Sequence, residues 1–531
     1  MKQSNLLKSS RSVTYAQRGM VATSQPLAAE AGAQMLRDGG NAIDAAIATA
    51  AALTVVEPTS NGLGGDAFAI VEYQGSLKGF NGSGRAPQAI SIDKVKARGH
   101  ETMPKFGIIP ITIPGAVKLW ADVHESYGKL PFESVLAPAI RLAIEGYPVS
   151  PVVSQSWHNA KRAYQNAQTH MPYETWADVF TQNGAPPKAS TIMRLKGHAK
   201  ALQAIANTKG KAFYEGDIAK AIVETSQKLN GFISMQDLAN HTTTSSPLMR
   251  VPYNGGEIIE LSPNTQGLVA LEALGMMQYV DQTTKIEPLH ASIEAMKLAF
   301  SDGFAHITDP SHMRYEPNNF LSPDYLKSRA KVIKKQATIP KPSSPPKGGT
   351  VYLATADQYG NSVSFIQSNY MGFGSGVVVK DYGIAMQNRG HTFSLNPKHI
   401  NALKGNKRSY HTIIPGYLKM PDGRHGPFGV MGGFMQPQGH MQVAMHLIDH
   451  DLNVQAALDA PRWQWIKDNH VLFEADFDPQ HIKALQARGH EVKTTEDSTT
   501  FGRGQIILRN PSNGVLEGGC EKRADSHIAI L

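Results

Sequence analysis

The sequence predicts an α+β protein in which stacked β-sheets are sandwiched between helical layers, and three observations predict it. Residues 114–330 read as mostly helical, with turns at prolines. Beyond Thr350 the texture changes to short strands separated by turn signals such as Gln358-Tyr359-Gly360-Asn361. The closing third runs strand, Gly432-Gly433, helix, so strands are flanked by helices on both sides. With 41% hydrophobic and 18% charged residues among 531, the chain has material for a large core, and no repeat or composition break divides it cleanly.

Taken in order, the first elements are a short strand from Met20, a helix over 27–37 and a second helix over 41–56. The second is alanine-rich, carries Asp44, Thr49 and Thr54, and falls short of the roughly 20 apolar residues of a membrane span, so it is expected as a buried helix with Asn41 as its N-cap. The turn Asn61-Gly62-Leu63-Gly64-Gly65-Asp66 has neither the Gly-Lys-Ser/Thr of a P-loop nor the strand-to-helix context of a dinucleotide fingerprint, so phosphate binding is not expected there. A strand over 67–73 follows, then helices that include 115–127 and 289–301. The segment 334–349, rich in Lys, Pro and Ser, is too polar for core and reads as an exposed tether. After it come strands over 351–357, 362–368, 377–379 and 384–387. A helix over 438–449 places Met441, Ala444, Met445 and Ile448 at i, i+3, i+4, i+7.

The net charge of +8 is modest and scattered, which suits solubility rather than nucleic-acid binding. The first 19 residues are polar and basic with no apolar stretch of signal-peptide length, and Cys520 is the sole cysteine, so no intramolecular disulfide or thiol metal cluster can form. A cytoplasmic enzyme without metal or cofactor is the expectation.

The chemistry centres on Thr350. It follows Lys347-Gly348-Gly349 and opens a strand-like run. If the Gly349-Thr350 bond is cut, the threonine gains an α-amine beside its own hydroxyl, and one residue supplies nucleophile and base. Glycines upstream leave Oγ unhindered access to the preceding carbonyl, and the β-methyl restricts χ1. Gly432-Gly433, between a strand and a helix, offers backbone N–H groups to a developing oxyanion. Arg85, fixed in Asn81-Gly82-Ser83-Gly84-Arg85-Ala86-Pro87, suits capture of a carboxylate. Ser368 is returned toward Thr350 by hairpin geometry and is placed to bond its amine or hydroxyl. His440, His446 and His450 lack the metal-binding His-Glu-x-x-His pattern and read as exposed helix histidines. Asp459 and Arg462 are expected to bridge each other in a structural corner, and nothing basic is seen to activate Cys520.

Together these residues resemble the γ-glutamyltransferase (glutathione hydrolase proenzyme) family of the N-terminal nucleophile hydrolase superfamily. The resemblance is carried by Ser24-Gln25-Pro26-Leu27-Ala28, Gly39-Gly40-Asn41-Ala42-Ile43-Asp44-Ala45, Gly64-Gly65-Asp66, Gly84-Arg85-Ala86-Pro87, Pro114-Gly115 and Leu136-Ala137-Pro138-Ala139-Ile140. In the second part it is carried by Gly349-Thr350, Asp357 with Gly360-Asn361, Gly374-Ser375-Gly376, Lys407-Arg408 and Gly432-Gly433.

The resemblance implies a four-layer αββα sandwich and self-cleavage between Gly349 and Thr350. A large subunit, 1–349, with a flexible tail over 334–349, and a small catalytic subunit, 350–531, would form one intertwined domain, with a dimer of such heterodimers as an allowed assembly. It implies Thr350 as nucleophile, Gly432 and Gly433 as oxyanion hole, and Arg85 as ligand for a γ-glutamyl α-carboxylate. The expected reaction is hydrolysis of a γ-glutamyl amide through an ester on Thr350.

The departures matter as much. Val351-Tyr352 stands where the family's transpeptidases have Thr-His, Tyr370 where they have an asparagine that helps hold substrate, Thr392 where they have the aspartate that binds the α-amino group, and His411-Thr412 where they have a serine pair. The stretch 394–407 is shorter than their lid loop. Tyr370 and the missing lid imply hydrolysis over transfer to amino-acid acceptors. Asn388, Arg389 and His391 sit where substitutes for the missing acid could act, none of the three assignable from sequence. An acylase or amidohydrolase of the same fold, acting on another carboxylate-bearing amide, is the alternative, and an unprocessed, non-catalytic binding protein the second. Neither nucleic acid nor a membrane is an expected partner.

Overall fold

A computed structural model describes residues 11–280, 286–340 and 349–531. Two antiparallel seven-stranded sheets lie face to face. The first runs, edge to edge, His527–Ile530, Gly19–Thr23, Gly349–Asp357, Ser362–Tyr370, Asp66–Tyr73, Ser76–Asn81 and Thr244–Ser246. The second runs Thr14–Ala16, Leu516–Cys520, Arg503–Arg509, His425–Met431, Gly416–Lys419, Gly256–Leu261 and Leu248–Tyr253.

Alternation along the strands assigns each side chain to a layer. Phe68, Ile70, Tyr352, Ala354 and Ile366 point inward and meet Ile259, Tyr417, Met431 and Ile507 of the facing sheet. Their neighbours Ala67, Ala69, Val351, Leu353 and Phe365 point outward into a core built with helices Ala42–Val56, Ala116–Tyr127 and Phe132–Glu145. On the far side Val251, Ile258, Phe428, Val430 and Ile506 pack against Gly267–Met277, Pro288–His306 and Met435–Ile448. The layers are therefore α, β, β, α. None of the described helices is long and apolar enough to cross a membrane.

Several expectations need correction. The reading of 114–330 as mostly helical passes over five strands: Tyr147–Pro148 and Ile192–Met193, which pair with each other, then Thr244–Ser246, and Leu248–Tyr253 with Gly256–Leu261. Their hairpin turns at Asn254 (φ 44°) and Gly255 (φ 87°), the left-handed pair that a two-residue turn demands. The strands expected over 377–379 and 384–387 shrink to Val378–Val379 and Ile384–Ala385, which pair only with each other. The last long helix begins at Met435, three residues early, because Pro437 is tolerated in a first turn. A further small sheet, Trp463–Lys467, His470–Glu474 and Glu491–Thr495, lies outside the elements expected from sequence.

The tether expected over 334–349 is anchored where it is described. His290 Nε2 lies 2.8 Å from the Lys334 carbonyl, Lys297 Nζ donates to the Thr338 carbonyl (2.8 Å), and Ala337 N donates to the Arg488 carbonyl (2.7 Å). The rest of that segment, with Lys347 and Gly348, lies outside the described residues. The corner at 459–463 is also built differently. Arg462 pairs with Glu521 (2.8 Å) rather than Asp459, which instead accepts from Gln455 Nε2 (3.0 Å).

Candidate active site

Strand Gly349–Asp357 is central in its sheet and irregular at one point. Gly349 pairs with Tyr370 but Val351 pairs with Gln367, so the register shifts at Thr350. Two residues of the partner strand, Ser368 and Asn369, thus stand opposite Thr350, so the bulge lies in Ser362–Tyr370 and interrupts the ladder at Thr350. Thr350 is buried, and its Oγ1 donates to Ser368 Oγ at 3.2 Å. Ser368 Oγ also accepts from the Tyr370 N–H (2.7 Å). Tyr370 has φ +76°, a left-handed conformation that costs a bulky residue on the order of 1 kcal/mol or more.

Gly432 and Gly433 occupy the step from strand His425–Met431 to helix Met435–Ile448. Gly432 has φ +141° and Gly433 +62°, where a Cβ is strained. The Gly432 carbonyl accepts from Met435 N (3.1 Å) and the Gly433 carbonyl from Gln436 N (3.2 Å) and Gln266 Nε2 (2.8 Å). With those carbonyls turned into the helix start, the antiparallel peptide geometry turns the following N–H groups the other way. Gly432 borders a cavity of about 320 Å³ shared with Met371, Gly372, Met431, Lys105 and Arg503. Gln266 also donates to the Thr412 carbonyl (2.5 Å), so one side chain ties Thr412 to the glycine pair.

Thr412 Oγ1 accepts from Arg389 Nη1 (2.7 Å), and the Arg389 guanidinium lies 4.1 Å from the centre of the Tyr370 ring. The residues thus form a continuous run: Thr350, Ser368, Tyr370, Arg389, Thr412, Gln266, Gly433. Behind it, His411 Nε2 meets Asp66 Oδ2 at 3.1 Å, and Asp66 Oδ1 accepts from the Gly84 N–H and Gln387 Nε2 (both 3.0 Å). Burial lifts the Asp66 carboxyl to about 6, against the pull of Arg389 and those donors. Burial, with Arg389 and Arg408 nearby, holds His411 well below its ordinary value, so the ring is neutral and donates its Nε2–H to Asp66.

Of the remaining sequence-named residues, Arg85 faces another cavity, while Asn388 and His391 stay beside the run, the His391 ring 6.5 Å from that of Tyr370. Arg85 is 36% exposed, and its Nη1 donates to Asp309 Oδ2 (2.8 Å) and the Asn406 carbonyl (3.1 Å). It lines a separate cavity of about 340 Å³ with Arg408, Asp237 and His241. Asn388 braces the chain, accepting from Met371 N (3.3 Å) and donating to the Lys105 carbonyl (2.9 Å). The Thr392 hydroxyl bonds the carbonyls of Arg389 (2.9 Å) and Tyr410 (3.0 Å), and His391 bonds the Met103 carbonyl (2.8 Å). Nothing local in the sequence marks Gln266, a buried glutamine whose partners lie about 150 residues away.

His440 is not an exposed helix histidine. It is fully buried, with Nδ1 2.6 Å from Glu260 Oε1. Arg11 does approach the Cys520 sulfur (3.0 Å), yet burial still raises the thiol. Among the described residues, His290, Glu294 and His490 have metal-like spacing, but Lys297 Nζ sits 2.6 Å from Glu294 and His290 bonds His490 at 2.7 Å, so an ammonium already occupies the carboxylate and the two rings hold each other.

The profile of the family described as Gamma-glutamyltranspeptidase matches residues 28–531. The chain is 35% identical to the glutathione hydrolase-like YwrD proenzyme of Bacillus subtilis, over 95% of this chain and 97% of that one. It is 33% identical to the oxamate amidohydrolase proenzyme of Klebsiella pneumoniae, over 96% and 98%. The crystal structure of cephalosporin acylase from Bacillus halodurans superposes with a TM-score of 0.94 at 51% identity, over 100% of this chain and 99% of that one.

Proposed function

The chain belongs to the gamma-glutamyltranspeptidase family, with the αββα fold of N-terminal nucleophile hydrolases, and from that premise we propose that it is a self-processing amide hydrolase whose nucleophile is Thr350. One observation carries the reading: Thr350 Oγ1 stands at a strand bulge just after Gly349, bonded to Ser368, in a run of contacts that ends at the glycine pair.

In maturation, Oγ attacks the Gly349 carbonyl as its proton passes toward Ser368. The acyl group moves from nitrogen to oxygen, and water hydrolyses the resulting ester. The products are a chain ending at Gly349 and one beginning with the free amine of Thr350. That amine, ordinarily of pKa roughly 7.7–8, is neutral in part at pH 7 and takes the Oγ proton in turnover. Oγ adds to the substrate amide carbonyl, the oxyanion falls to the N–H groups around Gly432 and Gly433, and the proton passes to the departing amine. Water then attacks the acyl ester by the same route and frees Thr350.

Hydrolysis is favoured over transfer because the short 394–407 stretch is packed down rather than held over the site. Phe393, Leu395 and Leu403 join Met103 and Ile109 in a small core, and Lys407 Nζ bonds the Ile400 carbonyl (2.7 Å). The acyl group is a γ-glutamyl or related carboxylate-bearing one. Acylase chemistry without a γ-glutamyl group is the second reading, favoured by a buried arginine, Arg389, where an amine would need an acid.

The test is maturation. Purified protein is expected to run as two chains on a denaturing gel, the smaller beginning with Thr350 by N-terminal sequencing, while Thr350→Ala stays full length. A wild-type preparation that remains one full-length chain yet hydrolyses amides at full rate would overturn the reading.

A further inference from the structure

Arg389 is 1% exposed, yet only its Nη1 has a hydrogen-bond partner among the described residues. Its Nε and Nη2 are buried and unpartnered, and these two atoms form one side of the guanidinium fork, the side that grips both oxygens of a carboxylate. Its Cζ lies 4.1 Å from the centre of the Tyr370 ring, a cation–π contact that leaves the Nε–H and Nη2–H donors unused. A buried cation ordinarily has a direct counter-ion. The acid that acts on this one, Asp66, is held by His411, Gly84 and Gln387 and does not touch it. Further donors around the same residues are also unpartnered: the Tyr370 hydroxyl, and the side-chain amide of Gln436, which follows the glycine pair. The site is short of an anion.

We propose that Arg389 binds a carboxylate of the substrate's acyl half through its Nε–H and Nη2–H edge, and that the substrates are monoamides of dicarboxylic acids bearing no ammonium group. The inference rests on the Thr350 hydrolase reading and narrows it. An α-ammonium beside this guanidinium would be repelled without a nearby free acid to offset it. Thr392 supplies none, being an uncharged hydroxyl whose one O–H is turned to the backbone carbonyls of Arg389 and Tyr410. The Arg85 guanidinium, paired with Asp309 and turned to the other cavity, leaves carboxylate recognition at Thr350 to Arg389.

The experiment uses matured enzyme, with maturation verified by the two-chain gel, and three p-nitroanilides: glutaryl, γ-L-glutamyl and pentanoyl. They share chain length and differ only in carrying a carboxylate, a carboxylate with an ammonium, or neither. The expected order of kcat/KM is glutaryl first, with γ-glutamyl and pentanoyl both at least tenfold lower. Arg389→Gln is expected to lower kcat/KM on the glutaryl anilide by about 30- to 100-fold, the loss of a charge-assisted pair, and to change the pentanoyl anilide by less than threefold. Should that variant fail to mature, the wild-type enzyme decides: glutarate is expected to inhibit competitively and pentanoate at the same concentration not to. A γ-glutamyl anilide cleaved as well as the glutaryl one, equal loss on both anilides in Arg389→Gln, equal inhibition by the two acids, or no turnover of any anilide by matured enzyme would each overturn the proposal. Failure of wild type to mature would instead overturn the Thr350 reading beneath it.

Discussion

Asp66 sits fully buried between a histidine and two N–H donors, and its carboxyl is lifted from 3.8 to about 6. The folded protein therefore binds this proton more tightly than the unfolded chain does. Stability tied to the group is full below about pH 4 and is lost as pH rises through about 6, by about 3 kcal/mol in all. Urea midpoints measured from pH 4 to pH 7 are expected to fall more steeply in wild type than in Asp66→Asn. Parallel profiles would show that the burial cost is met elsewhere. Ser368 permits a second expectation. It accepts from both Thr350 Oγ1 and the Tyr370 N–H, so Ser368→Ala removes one hydrogen bond from the attacking hydroxyl and is expected to slow maturation by about 10- to 100-fold without abolishing it. A gel time course reads this directly, and an unchanged half-time would leave Ser368 with a structural role only. These residues were legible unequally. Thr350, its glycines and Ser368 announce themselves by turn and hairpin logic acting over a few residues. The Arg389 environment does not, because its partners come from positions 370 and 412 and its lack of a direct acid exists only in three dimensions.

The helix Ala42–Val56 shows how one element joins the two halves of the chain. Its N-cap Asn41 accepts from the Ile43 and Asp44 N–H groups, Asp44 reciprocates to the Asn41 N–H, and Asn41 Nδ2 donates to the Tyr127 carbonyl (2.7 Å). The Ala42 N–H donates to Asp357 Oδ2 (3.0 Å), and Thr355 Oγ1 donates to the Ala42 carbonyl (2.7 Å). One helix end is thus capped in part by the strand that begins at the proposed nucleophile. Asn41→Ala is expected to cost about 1–2 kcal/mol, read as a lowered urea midpoint in both wild-type and Thr350→Ala backgrounds. A change under 0.5 kcal/mol in both would mean that Asp44 and Asp357 suffice. The cap was readable because Gly39-Gly40-Asn41 precedes an unbroken apolar run. The hairpin at Asn254-Gly255 carried an equally good signal, with alternating burial along Leu248–Tyr253, and was lost among helical neighbours on either side. The early start at Met435 escaped for a different reason: glycines and a proline read as turn, and only tertiary packing makes them the first turn of a helix.

Both sheets draw strands from either side of residue 349. In the first, Gly349–Asp357 is flanked by Gly19–Thr23 and Ser362–Tyr370, and in the second, His425–Met431 and Gly416–Lys419 are continued by Gly256–Leu261. Sequence texture gave the layers away, since a helical stretch followed by strands needs both faces of its sheets covered. It could not give the interleaving, which depends on pairings hundreds of residues apart. The interleaving has a thermodynamic consequence. Cutting before Thr350 would leave two chains, neither of which owns a complete sheet, so they should stay together until they unfold and then part. Unfolding of the matured protein would release two molecules from one, and its stability would fall by about 1.4 kcal/mol for each tenfold dilution. The Thr350→Ala precursor, still one chain, would show no such dependence. Urea midpoints of both forms, taken across a hundredfold range of protein concentration, are expected to shift for the matured protein alone. A concentration-independent midpoint in the matured form would mean that the halves unfold as separate units, and that the shared sheets contribute less to cohesion than their strand order implies.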